Sequence, residues 1–461
     1  MRRGLFALVC CGLLLPAAAS AFLVPTPQIA SPPPGHPGAN GPSDDTTFSQ
    51  DDRDARLLAY DSSASNLVRD DTNGHQDVFV LAKQGDELLG GRLSLVSVSS
   101  KGRQANGDSS NPSLDGTTGE VPHCVAFQST ATNLDRADRS PDSDIYLRDL
   151  KAGRTALVSI GRHNATGASI DGRCRFVVFE SGHVTFDRDL ARRRTLRVGS
   201  GSRPDLETDG KGVAYQRGGQ VWFQRIAIGK HGLALSGPPQ LVSNTPTGTP
   251  GNGVSENASV DDRGRYVAFD STATDLCDLS RCGWNYHPPP NSRKFDPGST
   301  PDGVDANGSR SDVFRAVLGT RPEAPDSMTL VSYDNSYEQL DGPSVEPQIS
   351  RAGRGVVFTS APATGHELSD AKAAQNVFYW GDSSQRLGDG HLRLVSYMYF
   401  QPCLGCDLGH DFNGSAYHPS MSSRGNFIAF TSFETGEAGE TNGAAIPDVF
   451  EDYFMAPPRG F

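Results

Sequence analysis

Two short segments combine carboxylates, an amide and a glycine at spacings that suit a hard cation. Their candidate oxygen donors are Asp71, Asn73 and Asp77 in the first segment and Asp305, Asn307 and Asp312 in the second. Calcium prefers carboxylate and amide oxygens of this kind. The alternative is a structural turn, in which Asn and Gly supply a positive φ and Asp caps the next strand. Neither segment has the full acidic pattern of an EF-hand, so calcium is a hypothesis here.

Six cysteines lie beyond the N-terminal apolar stretch: Cys124, Cys174, Cys277, Cys282, Cys403 and Cys406. An even number in an exported chain favours disulfides. The short spacings predict the bridges Cys277–Cys282 and Cys403–Cys406, which leaves Cys124 and Cys174 as a hypothetical third pair. The alternative for the Cys403–Cys406 segment is a zinc site with His410 or His418, because thiolates and imidazoles bind zinc.

Two long segments, Cys277 to Val304 and Tyr397 to Tyr417, carry aromatic and basic residues next to predicted disulfides. Long connections with their own cross-links are more often binding elements than plain linkers. The predicted ligand-binding residues are Trp284, Tyr286, His287, Arg293, Phe295, Tyr399 and Phe400.

Known catalytic motifs are missing from the sequence. It contains no G-x-S-x-G nucleophile turn, no H-E-x-x-H helix and no phosphate-binding G-x-x-x-x-G-K. No catalytic residue is assigned, and whether the protein is an enzyme stays open, with a non-enzyme favoured. The positional candidates for an active site are Asp205, Glu256 and Glu346, on predicted inner strands.

The elements that position these residues follow from one repeated stretch, Asn257 to Leu276. It predicts a β-hairpin with a tight turn at Asp262 to Gly264 and a second strand from Tyr266 to Phe269. That second strand is continuously apolar, so protein should cover both of its faces. Copies of the strand occur seven times along the chain.

Each copy is followed by a third strand, usually Asp-Val-Phe, and six copies by a fourth with Leu-Val-Ser. Four-stranded meanders that are apolar on both faces are typical of propeller blades. The sequence therefore predicts an all-β, seven-bladed propeller over residues 48–461, with a six-bladed ring as the alternative. The units run roughly over 48–97, 111–159, 167–198, 203–243, 256–332, 345–396 and 417–454.

The repeat resembles the TolB-like, WD-type β-propeller family. The resemblance rests on N-P-S-x-D-G at Asn111 to Gly116, then V-A-F-x-S-x-A-T-N-L, D-V-F and L-V-S. It covers roughly Phe48 to Tyr453 and implies the fold rather than one function. The last unit lacks Leu-Val-Ser, so either a strand near Phe22 to Val24 completes that blade or the blade has three strands.

The N-terminus predicts export. Residues 1–21 read as a cleaved signal peptide, with Arg2 and Arg3 before a short apolar run, and 22–47 read as a Pro/Gly-rich linker. The expected location is secreted or periplasmic, without a membrane span. A formal net charge of −12 argues against nucleic acid as a partner.

These observations favour a binding module or scaffold that engages a protein, peptide or envelope glycan through its loop face. The alternatives are a hydrolase or lyase with an active site in the central channel, and a structural surface protein. No cofactor is predicted apart from the hypothetical calcium, and the oligomeric state is not predicted.

Overall fold

The fold is a ring of seven antiparallel blades, seen in a computed structural model. The structure describes residues 28–30, 39–51, 55–84, 87–277, 308–319, 328–333, 339–361, 375–381, 392–398, 410–411, 415–433 and 448–453. No helix that could cross a membrane occurs in these ranges.

Each of the first three blades is a four-stranded meander in chain order. Blade 1 contains β2 (Ser43–Phe48), β3 (Leu57–Ser62), β4 (Asp77–Gln84) and β5 (Glu87–Leu95). Blade 2 contains β6 (Ser109–Leu114), β7 (Cys124–Ser129), β8 (Asp144–Asp149) and β9 (Arg154–Leu157). Blade 3 contains β10 (Ala165–Ile170), β11 (Phe176–Ser181), β12 (Val184–Asp189) and β13 (Arg194–Ser200).

The next three blades repeat the meander, and in blade 4 two short strands share the outer edge. Blade 4 contains β14 (Ser202–Leu206), β15 (Gly212–Arg217), β16 (Gln220–Gly229), β17 (Gly232–Leu235) and β18 (Gln240–Leu241). Blade 5 contains β19 (Ser255–Val260), β20 (Tyr266–Ser271), β21 (Asp312–Val317) and β22 (Met328–Leu330). Blade 6 contains β23 (Ser344–Ile349), β24 (Gly355–Ser360), β25 (Asn376–Gly381) and β26 (Leu392–Leu394), and a separate hairpin, β27 (Tyr397–Met398) with β28 (His410–Asp411), follows it.

Blade 7 takes its outer strand from the N-terminal side of the chain. It contains β29 (Ala416–Met421), β30 (Phe427–Ser432), β31 (Asp448–Tyr453) and β1 (Gln28–Ile29). Gln28 pairs with Glu451 and Ile29 with Phe450 in antiparallel register. The six-bladed and three-stranded alternatives are therefore wrong. A strand from the predicted linker does complete the ring, at Gln28–Ile29, and Phe22 to Val24 lie outside the described residues.

The apolar second strands are covered by both neighbouring blades, as their composition predicts. In β20, Val267 and Phe269 pack against Phe223 of blade 4, whereas Ala268 packs with Val356 of blade 6. Burying such side chains contributes about 1.5–3 kcal/mol for each Phe or Val. Core contacts between adjacent blades therefore hold the ring together.

The Leu-Val-Ser motif has a repeated structural role. Its serine hydroxyl donates to the first side chain of the third strand in five blades: Ser97 to Asp77, Ser159 to Asp144, Ser243 to Gln220, Ser332 to Asp312, and Ser396 to Asn376. The motif thus fastens the end of one blade to its own third strand.

Carboxylates and glycines shape the turn between the first and second strands. In blade 5, Oδ1 of Asp261 accepts the N–H groups of Arg265 at 2.5 Å and Tyr266 at 2.9 Å. The residue that holds this corner is therefore Asp261, just before the turn at Asp262 to Gly264. Gly264 adopts the left-handed conformation, with φ of 56°.

Blade 3 differs from the later blades at this turn. Blades 4 to 7 have glycines with φ between 56° and 72° at the left-handed position: Gly210, Gly264, Gly353 and Gly425. Blade 3 has Cys174 there, with φ of 55°. Cys174 forms a disulfide with Cys124 of blade 2, with a Cα–Cα distance of 5.8 Å. Such a cross-link is consistent with an extracytoplasmic location.

Candidate functional site

The innermost strands of all seven blades line a central channel that encloses a cavity of about 500 Å³. Each of these strands has a β-bulge near its start, where the register with the second strand shifts. One residue in each bulge has a φ between 46° and 60°: Asp45, Asn111, Gly167, Arg203, Asn257, Glu346 and His418. We call this ring of seven residues the channel mouth.

The bulges explain how unlike side chains come to share one ring. A bulge re-aims the local side chain, and the left-handed conformation is uncommon for residues other than glycine. In blade 5, Ser255 pairs with Ser271, which in turn pairs with Asp312. The mouth therefore lies at the end of the channel where second strands connect to third strands.

The most densely charged part of the mouth surrounds His418. Its Nδ1 lies 2.7 Å from Asp44 Oδ1 and 3.5 Å from Asp45 Oδ1, and its Nε2 lies 3.2 Å from Glu346 Oε1. Burial alone would lower the pKa of His418, but the hydrogen bonds to Asp44 and Glu346 raise it to about 11. We call this group the His418 clamp, because a charged imidazolium joins blades 6, 7 and 1.

The carboxyls in and around the clamp have shifted pKa values. Burial raises the pKa of Asp270 to about 7. Burial and the charge of Asp45 raise the pKa of Asp61 well above its usual range. The pKa of Asp45 is itself raised, by burial and then by the charge of Asp44. By contrast, the pKa of Glu346 is lowered, because hydrogen bonds from His418 outweigh its burial.

A hydrogen-bond chain links the clamp to Arg203 on another side of the mouth. Arg203 Nη1 lies 2.7 Å from Glu256 Oε2 and 2.8 Å from Asn257 Oδ1. The Asn257 amide donates to Asp270 Oδ2 at 2.7 Å, and the same oxygen accepts the N–H of Glu346 at 3.0 Å. The mouth is thus one connected polar network across several blades.

A cross-channel contact lies at the opposite end of the channel. Arg351 of blade 6 donates from Nε to Asp262 Oδ2 at 2.7 Å. Its guanidinium also reaches blade 2, donating to Thr118 Oγ1 at 2.6 Å and Thr117 Oγ1 at 3.2 Å. This contact makes the two ends of the channel chemically different.

Among the residues that the structure describes, two groups of side chains have donor sets that could suit a metal ion. Asp44, Asp45 and His418 place one donor atom each within 4.8 Å of one another. A metal there would have to displace the proton that the clamp stabilises on His418. The second group combines Asp115 and His123 with Cys124 and Cys174. Its two sulfurs are joined in the disulfide, so they are not thiolate ligands.

The first predicted calcium segment forms a hydrogen-bonded turn. The Asn73 amide nitrogen donates to Asp77 Oδ2 at 2.7 Å, and its oxygen accepts the N–H of His75 at 3.1 Å. Asp77 also accepts the repeated serine contact, as Asp312 does in the second segment. Burial raises the pKa of Asp77 to about 6. Oδ1 of Asp71 is buried without a hydrogen-bond partner.

The structure describes only some of the other predicted site residues. Cys277 is disulfide-bonded. The following lie outside the described residues: Cys282, Trp284, Tyr286, His287, Arg293, Phe295, Asp305, Asn307, Tyr399, Phe400, Cys403 and Cys406. Of the positional enzyme candidates, Asp205 and Glu346 line the channel, and Glu256 pairs with Arg203.

Sequence reasoning missed Asp44 and Asp45, and it considered His418 only as a zinc ligand beside Cys403 and Cys406. A usable signal was present, because four mouth residues directly precede a proline: Asn111, Arg203, Glu346 and His418. The residue before proline is biased away from the right-handed helical region. The recurring X-Pro pair inside the first strand therefore marks the bulge that brings these side chains together.

The chain matches no family model and no curated protein. Among solved structures it resembles the β-propeller domain of the Trilobed protease from Pyrococcus furiosus, at 8% identity and a TM-score of 0.46, covering 88% of this chain and 95% of that one. It also resembles an oligogalacturonate lyase from Vibrio parahaemolyticus, at 9% identity and a TM-score of 0.44, with 91% and 90% covered. TolB from Acinetobacter baumannii gives 11% identity and a TM-score of 0.32, with 68% and 59% covered. The chain is thus similar to TolB proteins and other β-propellers in fold alone.

Proposed function

We propose that this protein is an exported binding propeller whose channel mouth receives a cationic segment of a peptide or protein. The observation that carries the proposal is the mouth itself. Seven equivalent positions of a repeated fold carry chemically different side chains, although the core positions around them repeat. Positions that the fold requires keep similar residues from blade to blade. We therefore assign ligand recognition to the positions that vary.

The charge of the mouth indicates the sign of the ligand. Seven carboxyl groups lie at the mouth or hydrogen-bonded to it: Asp44, Asp45, Asp61, Glu180, Glu256, Asp270 and Glu346. The cations among these contacts are Arg203 and His418, and both are already paired with carboxylates. Even with the carboxyls of raised pKa protonated, the mouth remains negative. A lysine, an arginine or a free amino terminus would complement it better than a neutral or acidic glycan.

We infer that the two long aromatic segments extend this contact. Ser271 and Asp312, which flank the first segment, pair at the mouth end of blade 5. We assign the remaining specificity to the predicted binding residues of both segments, from Trp284 to Phe295 and at Tyr399 and Phe400. Export through the predicted leader 1–21 belongs to the same proposal and is checked by sequencing the N-terminus of the mature protein.

The test measures binding of fluorescent 12-residue peptides by anisotropy, with cationic, neutral and anionic sets at two salt concentrations. Cationic peptides should bind, and added salt should weaken their binding. Glu256→Gln removes an exposed carboxylate at the mouth and should weaken binding about two- to fivefold. The matched control is Glu120→Gln, because Glu120 also pairs with an exposed arginine, Arg173, but on the turn side of blade 2. Equal binding of all peptide classes, or none, would refute the proposal.

A channel-centred hydrolase or lyase is the second candidate. The observation in its favour is that burial raises the pKa of two carboxyls: Asp205, which lines the cavity, to about 6, and Asp270, which is hydrogen-bonded to the mouth residue Asn257, to about 7. Carboxyls tuned in this way can serve in acid–base catalysis. Mass spectrometry of peptides, acidic oligosaccharides and lactones after incubation distinguishes the two functions. Turnover that is lost in Asp270→Asn would establish the enzyme. A protein that neither binds nor turns over any of them would fit a structural surface role.

A further inference from the structure

Two hairpin turns on the face of the ring opposite the channel mouth carry an exposed group of cations. The β12–β13 turn carries Arg192, Arg193 and Arg194, and the β16–β17 turn carries Lys230. We call these four residues the basic edge. All four are exposed, in a chain whose formal net charge is −12. The charge of this surface is therefore positive, whereas the net charge of the whole protein is negative.

Direct contacts hold the two turns together. Arg194 Nη1 donates to the carbonyl of His231 at 3.2 Å. A Cβ placed on Gly232 would lie 3.8 Å from Arg192 Cδ and 3.9 Å from Arg194 Cδ. The basic edge is thus one surface built by blades 3 and 4.

Few negative charges oppose these cations. The two turns contain one carboxylate, Asp189, which is fully buried and pairs with Arg192 at 3.1 Å and Arg175 at 3.5 Å. Among the described residues, Arg193, Arg194 and Lys230 have no carboxylate partner. Three cations therefore remain available to an anion from outside.

The neighbouring blade provides an internal comparison. Residues 149–155 of blade 2 read DLKAGRT, and residues 189–195 of blade 3 read DLARRRT. Both turns are capped in the same way: Asp149 Oδ1 accepts the N–H of Ala152 at 2.8 Å, and Asp189 Oδ1 accepts that of Arg192 at 2.9 Å.

The two turns differ at the residue in the left-handed conformation. Blade 2 has Gly153 there, with φ of 62°, and blade 3 has Arg193, with φ of 55°. Left-handed backbone is unfavourable for any residue with a Cβ. The turn does not require an arginine, because glycine serves the same turn in blade 2. A strained position that retains a charged side chain points to a function of that side chain.

We propose that the basic edge binds an acidic polysaccharide through its carboxylate or sulfate groups. Arginine suits these groups because its planar guanidinium can bind two oxygens at once. A lipid surface is disfavoured, since the one large apolar side chain classed as exposed on these hairpins is Leu235, at the far end of β17. This surface is separate from the channel mouth, so the proposal does not depend on the proposed function.

The experiment uses the full chain on immobilised heparin and hyaluronan with a salt gradient, and repeats the measurement with phosphatidylglycerol vesicles. Wild type should bind the polysaccharides in low salt. Arg193→Gly should weaken binding about two- to fivefold. Its melting temperature should stay unchanged or rise, because glycine fits the left-handed turn. The triple variant Arg193→Gly, Arg194→Ala, Lys230→Ala should lose most of the affinity.

Two controls separate the basic edge from general charge. Lys101→Ala removes an exposed cation from the connection between blades 1 and 2, where the adjacent Ser100 contacts Thr155 of blade 2, and should elute with wild type. Glu256→Gln, at the mouth, should also leave polysaccharide binding unchanged. The proposal is overturned if Arg193→Gly elutes with wild type, if Lys101→Ala weakens binding equally, or if the vesicles bind more tightly than the polysaccharides.

Discussion

His418 Nδ1 lies 2.7 Å from Asp44 Oδ1, although the two residues are separated by 374 positions in the chain. His418 belongs to the inner strand of blade 7 and Asp44 to that of blade 1. The contact therefore spans the seam where the ring closes, and it does so at the channel mouth. Closure of the fold and formation of the candidate site depend on the same pair of side chains.

This pair should give the stability of the protein a specific pH dependence. The pKa of His418 is about 11 in the folded protein, against an ordinary value of 6.5, because hydrogen bonds to Asp44 and Glu346 outweigh burial. Its protonation therefore stabilises the fold fully below pH 6.5, and this contribution is lost as the pH rises towards 11. His418→Gln should lower the free energy of unfolding by about 1–2 kcal/mol at pH 7, discounted for its partial exposure, and by less at pH 10.

Guanidinium unfolding at pH 6, 8 and 10 measures this dependence. His163→Gln is the matched control, since it removes an exposed histidine that lies 2.9 Å from Asp142. The control should differ little from wild type at every pH. A deficit in His418→Gln that stays constant from pH 6 to 10 would argue against the charged clamp.

The two cysteines of the inter-blade disulfide should respond differently to substitution. Cys124→Ala removes the cross-link and should lower the free energy of unfolding by about 2–4 kcal/mol. Cys174→Gly removes the same cross-link but places glycine at a left-handed position, as in blades 4 to 7, so its loss should be smaller by about 1 kcal/mol. Urea unfolding without reductant compares them. Equal losses would show that the left-handed cysteine is not strained.

A buried ion pair should make the ring seam sensitive to single substitutions. Lys83 Nζ of blade 1 contacts Glu451 of blade 7, and their side chains are 0% and 4% exposed. Lys83→Met alone should destabilise the protein by about 3–5 kcal/mol, because it leaves a buried carboxylate without its cation. Adding Glu451→Leu should recover most of the loss. A double-mutant cycle by chemical unfolding tests this, and additive losses would show that the pair is not coupled.

Calcium should leave the melting temperature unchanged at millimolar concentration. The reason is that the amide nitrogen of Asn73, rather than its oxygen, faces Asp77, and Asp77 already accepts the repeated serine contact. The comparison variants are Asp71→Ala with Asp77→Ala, and Asp144→Ala, which removes the same serine contact in blade 2. A calcium-dependent rise in wild type that the double variant loses and Asp144→Ala keeps would establish the site instead.

The blades could be predicted from the sequence because their apolar strands repeat in order, as at Val267 to Phe269. The closing strand was placed wrongly because Gln28 and Ile29 carry no repeat and are specified by backbone pairing with Glu451 and Phe450. The mouth was missed for another reason. Its residues share a backbone bulge rather than a residue type, and a following proline marks only four of the seven, at Asn111, Arg203, Glu346 and His418.

The channel mouth was beyond a search for motifs because motifs are local. Asp44 meets His418 only after a complete ring has formed, and Arg203 reaches Asp270 only through Asn257. Closure of a seven-bladed ring makes the first and last units neighbours, and this can be predicted from the number of repeats. It does not reveal which of their side chains point inward.

The position of β1 in the chain separates its synthesis from that of its pairing partner. Gln28 and Ile29 leave the ribosome before any other strand of the propeller, but their pairing partners in β31 are made after all the others. β1 therefore lacks its pairing partner until almost the whole chain is present. β1 would remain open to unwanted strand pairing during that interval. A chain that crosses a membrane before folding, as the predicted leader implies, would meet that hazard only after export.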